Sequence, residues 1–365
     1  MPEIHAARRA AAVERLAAIG ADAALITNLV NVRYLTGLAS SNAAVLLRAD
    51  GPAVLATDSR YAGTAQRECA DLEIVVERAV EQVLAGRAVA AGAVTVAFES
   101  QEMTVRRHAE LLKSVDSGLR LVPTGTITED LRAVKDESEI ESIAAACAIT
   151  GEAFTAVLDL IRPGVTERQI AIAIERAMVD IGAEAPAFDT IVASGPNGAV
   201  PHHVPGQRAI RAGDLITIDC GARVDGYHAD MTRTMAVGSV AGWQREIYDL
   251  VAEAQAAGIA ALAAGAVAGD VDAASRDLIA AAGHGEHFGH GLGHGVGLEI
   301  HEAPWIAPAR AGTLQDRAVV TIEPGIYLPG EGGVRVEDTL VVRSDSGATA
   351  PAEPLTTITR ELLVL

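Results

Sequence analysis

Apolar positions along the first third of the chain follow two alternating periods. Over residues 6–19 they recur at helical spacing among Arg and Glu, whereas 24–27, 43–47 and 53–56 are short apolar runs of strand length. Asp50-Gly51, between the last two runs, predicts a hairpin turn, since glycine supplies the positive φ such turns need. A helix over 60–69, a strand over 72–76, a helix from Val80, a strand over 94–98 and a helix over 104–113 continue the alternation. That order predicts a compact α/β domain. A polar, turn-rich stretch over 123–135 follows, and the domains are expected at 1–130 and 131–365.

The second region opens with a long amphipathic helix over 138–161, stopped before Arg162-Pro163-Gly164, and a second helix over 167–181 that ends at Gly182. Strand patterns over 190–194, 215–222 and 227–237 come next. Two Ala-rich helices, 244–264 and 271–282, precede a Gly/His loop, and strands over 319–323 and 333–342 lie near the end.

At 365 residues the chain is long for a single core, which agrees with two domains. Half of it is apolar but only 3% is aromatic, so Ala, Val, Leu and Ile must fill the cores. The formal charge of -19 repels phosphate backbones and anionic bilayers, so neither nucleic acid nor a membrane is expected as partner. The charged first 19 residues do not form the uninterrupted apolar core of a signal peptide, and no membrane span is expected. Cys69, Cys147 and Cys220 are scattered, without CxxC, which fits a reducing cytoplasm.

Four segments carry candidate chemistry. In Leu215-Ile216-Thr217-Ile218-Asp219 and His228-Ala229-Asp230, two strands joined by Arg223-Val224-Asp225-Gly226, a turn at Val224-Asp225 would pair Asp219 with Asp230 directly, and one at Asp225-Gly226 diagonally. Either register leaves both carboxylates on one face, roughly 4.5–8 Å apart at Cβ, where like charges call for a cation. The run Gly289-His290-Gly291-Leu292-Gly293-His294-Gly295-Val296-Gly297 to His301-Glu302 has alternating glycines that suit neither a dinucleotide fingerprint nor a phosphate loop. Its imidazoles are metal-ligand types. Glu323 precedes Pro324 at the end of an apolar strand, and Arg335 and Glu337 share one face of another. A solvated acid pair, a flexible loop, a strand end and a surface ion pair would explain these one by one.

Together, Asp219, Asp230, His294, Glu323 and Glu337 make four carboxylates and one imidazole. Two divalent ions would cancel their charge. Oxygen-dominated ligation with one nitrogen suits Mn2+ and tolerates Co2+, Fe2+ or Zn2+. Two ions about 3.5–4 Å apart can activate water and polarise a carbonyl.

These motifs, in this order, resemble the metallopeptidases that include prolidase, aminopeptidase P and, more distantly, methionine aminopeptidase. Tyr34-Leu35-Thr36-Gly37, Asp58-Ser59-Arg60-Tyr61, Lys135-Asp136-Glu137-Ser138-Glu139-Ile140 and Leu355-Thr356-Thr357-Ile358-Thr359 extend the resemblance over almost the whole chain. It implies an α/β protein with a smaller N-terminal creatinase-like domain followed by a C-terminal pita-bread catalytic domain of two pseudo-symmetric halves. It implies that Asp219 chelates one metal, His294 and Glu323 complete the other, and Asp230 and Glu337 bridge them. By the same resemblance His290 and His301 contact the scissile carbonyl and leaving side, His202 lines a proline pocket and Arg335 takes part in substrate recognition. Glu323 is expected to shuttle the proton, because a departing prolyl nitrogen must be protonated.

The expected substrates are short proline-containing peptides, cut at Xaa-Pro bonds by a homodimer. Xaa-Pro dipeptidase is favoured over aminopeptidase P and over a non-catalytic peptide-binding module. His203 is expected as a partly exposed loop residue, His228 either at the site rim or in packing, and Cys220 in the core behind Asp219.

Overall fold

Short aliphatic runs in the first third become strands buried on both faces. The computed structural model describes residues 2–115, 118–345 and 348–365. The chain divides into two units, Met1–Arg132 and Ala133–Leu365.

In the first unit, β1 (Ala23–Ile26), β2 (Ala43–Arg48), β3 (Val54–Thr57), β4 (Glu73–Val76), β5 (Thr95–Phe98) and β6 (Arg120–Pro123) form one sheet in the order β4-β3-β2-β1-β5-β6. The Asp50-Gly51 hairpin is present as the antiparallel β2–β3 pair, and the outer pairs β3–β4 and β5–β6 are parallel. Helices α1 (Pro2–Leu16), α2 (Leu29–Thr36), α3 (Ala62–Glu68), α4 (Val80–Ala90), α5 (Val105–Ser114) and α6 (Ile127–Arg132) complete the unit.

Sequence patterning passed over α2, α6 and β6. Helix α2 had a legible start, because the Asn28 side chain accepts from the Val30 and Asn31 amides, and a legible stop at Gly37. Helix α6 is polar, and long-range partners support it: Arg15 donates to the Ile127 carbonyl and buried Arg132 to Asn31. Such partners are invisible to local periodicity.

The second unit begins with α7 (Glu137–Val157) and α8 (Glu167–Ile181), each opened by a capping box. Then come β7 (Ala185–Pro186), β8 (Ile191–Ser194), β9 (Leu215–Cys220), β10 (Ala222–Val224), β11 (Tyr227–His228) and β12 (Met231–Ala236). Helices α9 (Gly242–Ala261) and α10 (Ala268–Ala281) follow. The later strands are β13 (Gly293–Gly295), β14 (Glu302–Ile306), β15 (Val319–Ile322), β16 (Gly325–Leu328), β17 (Gly332–Arg335), β18 (Asp338–Val341), β19 (Ser344–Asp345), β20 (Ala348–Thr349) and β21 (Glu353–Pro354).

Two similar layers result. In one, α7 and α8 cover the β12-β9-β8 sheet through Phe154, Ile170, Ile174, Ile216, Ile218 and Met235. In the other, α9 and α10 cover the β14-β13-β15-β18-β21 sheet through Ile247, Val251, Val271, Val320, Ile322 and Leu340. By length and composition the stretch Glu137–Leu160 is long and apolar enough to cross a membrane. Here it is the core helix α7, with Ile143, Ala146, Phe154 and Val157 buried.

The continuous strands expected over 215–222, 227–237 and 333–342 are each interrupted. Gly221 separates β9 from β10, Ala229-Asp230 lies between β11 and β12, and Val336-Glu337 lies between β17 and β18. At each break the chain passes from one sheet to another. Burial continues through these points, so the sequence pattern reads on as one strand. Phe154 is 1% exposed in the α7/α8 core. Phe154→Ala is expected to cost about 3–5 kcal/mol of stability in chemical denaturation; a loss under about 1 kcal/mol would show that this core refills the space.

Candidate metal centre

Strand alternation sets the first acid. On β9, Ile216, Ile218 and Cys220 enter the α7/α8 core, while Asp219 points to the other face. The register pairs Asp219 with Thr232 and Cys220 with Met231, so the turn is the one at Asp225-Gly226, both at positive φ. Asp230 therefore lies diagonal to Asp219, in the gap where the chain leaves β11 for β12. Glu337 occupies the equivalent gap between β17 and β18, and Glu323 follows the end of β15. Strand β13 carries His294 beside β14.

All nine residues singled out by sequence line one cavity of about 840 Å³: Asp219, Asp230, His294, Glu323 and Glu337 with His202, His290, His301 and Arg335. Asp230, His294 and Glu337 each offer an atom within 4.8 Å of the others. His294 Nε2 is 3.6 Å from Asp230 and 3.4 Å from Glu323. Asp219 is instead drawn to Arg335, whose Nη2 donates to it at 2.7 Å. Of the substrate-side set, His202 and His301 are exposed on the rim, His290 is half-buried and Arg335 is buried.

Electrostatics mark the floor of the cavity as unstable by itself. Burial, together with Glu337, Asp219 and Glu323, pushes the Asp230 carboxyl well above its ordinary range. Burial and then Glu337 do the same for Glu323, and burial and then Asp219 push Glu337 up to about 8. Among the described residues, the buried Asp219 Oδ1 and Glu337 Oε1 have no hydrogen-bond partner. Buried acceptors left unpaired are costly, and like carboxylates at close range cannot all ionise without a cation. Burial, then His301, lowers His294 to about 4, so its ring is neutral at pH 7. Its Nδ1–H donates to the Gly295 carbonyl, which leaves the Nε2 lone pair facing the acids. This donor set fits divalent metal.

A second layer holds these side chains. Thr232 donates to Glu337 at 2.6 Å and accepts from Arg335 Nε. Arg335 Nη1 also donates to the Tyr327 hydroxyl at 2.9 Å and to the Pro201 carbonyl. His290 Nδ1–H donates to the Gly291 carbonyl. Burial lowers His290 to about 4, so its Nε2 is an acceptor and the Tyr327 hydroxyl donates to it at 2.9 Å. The sequence analysis gave Tyr327 no role. The signal lay in Gly325, directly across from Arg335: a Cβ there would sit 2.5 Å from the Tyr327 oxygen. His203 is half-buried and paired with Glu167, not merely a loop residue, and His228 is packed with its Nδ1 on the Gly297 carbonyl. Cys220 is fully buried in the core.

The family model for metallopeptidase family M24 matches residues 141–344, and that for the creatinase/prolidase N-terminal domain matches 8–134. The chain belongs to metallopeptidase family M24. Its first unit is creatinase-like and its second has the pita-bread fold, so this M24 peptidase has the architecture that the resemblance implied. It is 46% identical over 237 residues to an Xaa-Pro dipeptidase of Pyrococcus furiosus, which covers 65% of this chain and 67% of that one. Among solved structures it is similar to an Xaa-Pro dipeptidase from Bacillus anthracis (TM-score 0.94, 36% identity, 99% of this chain and 100% of the other). It is also similar to an X-Pro aminopeptidase from Thermotoga maritima (TM-score 0.87, 35% identity, 96% and 100%).

Metal loading tests the floor of the cavity directly. Saturation with Mn2+ followed by gel filtration and elemental analysis is expected to leave two ions per chain. Asp230→Asn is expected to leave fewer than two; full retention by that variant would remove Asp230 from the ligand set.

Proposed function

We propose that this M24 peptidase hydrolyses Xaa-Pro bonds in short peptides, preferring dipeptides, with two divalent ions per chain. The observation that carries the reading is the convergence of three buried acids, the half-buried Glu323 and a neutral imidazole on a cavity whose rim presents His202 and His301. Similarity to Xaa-Pro dipeptidases over most of the chain supports the substrate class.

Asp219, Asp230, His294, Glu323 and Glu337 would hold the ions. When bound, the ions supply Lewis acidity toward the scissile carbonyl and the attacking water. The remaining chemistry belongs to side chains. Glu323 takes the proton of the attacking water and delivers it to the prolyl nitrogen, a tertiary amide nitrogen that cannot leave unprotonated. His301 donates a hydrogen bond to the carbonyl oxygen as charge develops there. His290 contributes on the leaving side; its Nδ1–H is committed to Gly291, so donating from Nε2 requires a second proton or a ring turn. His202 lines the proline pocket. Arg335 borders the substrate while fixing Asp219 and the Pro201 carbonyl.

Manganese is the assigned metal, because oxygen ligands outnumber nitrogen. A homodimer acting in the cytoplasm completes the proposal. Likeness to an X-Pro aminopeptidase supports a second reading, in which longer Xaa-Pro peptides are trimmed. Hydrolysis of Ala-Pro faster than Ala-Pro-Ala by the manganese enzyme is the expected result, and the reverse order would favour the second reading.

Glu323→Gln is expected to lower kcat at least about a hundredfold with an unchanged circular dichroism spectrum. Turnover equal to that of the unmodified enzyme would end the proposed proton-shuttle role.

A further inference from the structure

The wall that carries His202 is held by a buried carboxylate outside the metal centre. Glu167 is the first residue of α8, directly after the Thr166 cap, and its side chain is 0% exposed. Its Oε1 accepts from the Ser194 amide at 2.8 Å, the Ser194 hydroxyl at 2.6 Å and Asn197 Nδ2 at 2.9 Å. Its Oε2 accepts from His203 Nε2 at 2.9 Å and the Gly206 amide at 3.2 Å. Every one of these donors belongs to the 194–206 segment, which leaves β8 and brings Pro201 and His202 onto the cavity wall. Backbone bonds from Glu167 to the Arg208 carbonyl and from Arg168 to the Gly206 carbonyl fasten the far end of the segment to the same helix start.

Apolar burial does not hold this segment. Val200 is 51% exposed and Val204 80%. Further restraints come from Arg208, which donates to the Ser194 hydroxyl at 2.6 Å, and from the pairing of Ser194 with Ile216 on β9. Strand β17 adds another, where Pro201 accepts from Arg335 and a Cβ on Gly333 would lie 2.2 Å from the Gly198 carbonyl. Among these restraints the Glu167 carboxylate alone gathers five donors from along the segment. Burial raises the Glu167 carboxyl, but donors from Ser194, His203 and Asn197 outweigh it and keep the group below its ordinary range.

We propose that Glu167 is a positioning residue for peptide recognition: it fixes the 194–206 segment so that His202 faces the cavity, and so sets substrate affinity without touching substrate. The inference rests on the assignment of His202 to the proline pocket.

Glu167→Gln keeps the shape but replaces one acceptor oxygen with an amide that repels the donors facing it. In the manganese-loaded full chain, KM for Ala-Pro is expected to rise roughly tenfold with kcat within about twofold, the pattern of lost uniform binding. In a His202→Ala background the same change should move KM less than about twofold, because the route through His202 is already gone. His203→Gln, which retains a donor, should leave KM near that of the parent enzyme, while His203→Ala should raise it about threefold. Hydrogen exchange should quicken over 195–206 in Glu167→Gln.

An unchanged KM, an equal KM rise with and without His202, or unchanged exchange over 195–206 would overturn the proposal. Should Glu167→Gln not fold, the two His203 variants decide it by the same KM and exchange readouts. Absence of Ala-Pro hydrolysis by the parent enzyme would sink the proposed activity instead, and exchange over 195–206 would still judge the anchor.

Discussion

Burying a carboxylate costs several kcal/mol unless something compensates, and the second unit faces four of them onto one cavity. Arg335 meets Asp219 and Thr232 meets Glu337, yet Asp219 Oδ1 and Glu337 Oε1 stay unpaired among the described residues. The protein alone therefore leaves a concentration of negative charge that divalent metal can neutralise. Much of the surrounding fold serves to keep that charge in place. Neutral His294 aims Nε2 at the acids because its other nitrogen is tied to a carbonyl, and Thr232 is shared between Glu337 and Arg335.

The architecture explains how the acids reach one another. Each layer has its helices on the outside and a sheet facing inward, and each contributes one acid from an interruption in a strand. Asp230 lies where β11 gives way to β12, and Glu337 where β17 gives way to β18. An interruption frees the side chain from the alternation of a regular strand and lets it turn inward. The cores behind are aliphatic and tightly closed, with Ile216, Ile218, Val320 and Ile322 at most 1% exposed, so the strand ends that carry acids are rigidly backed.

The rim of the cavity is built differently. Its walls come from the exposed segment around His202 and from the Gly/His loop, and polar networks anchored on Arg335, Tyr327 and Glu167 hold them. Polar contacts thus position these walls, while aliphatic cores back the acids beneath.

Local chemistry in the sequence was enough for the helices with strong periodicity, the Asp50-Gly51 hairpin and the inventory of acids and histidines. These depend on residues within one turn or one strand of each other. Tertiary structure alone decided the β9–β12 register, the strand breaks at Asp230 and Glu337, the polar helix α6, and the parts played by Tyr327, Glu167 and His203. Each of those depends on partners tens to more than a hundred residues away, as Glu337 is from Thr232. A pattern repeating every two or four positions carries no information at such distance; only packing brings the partners together.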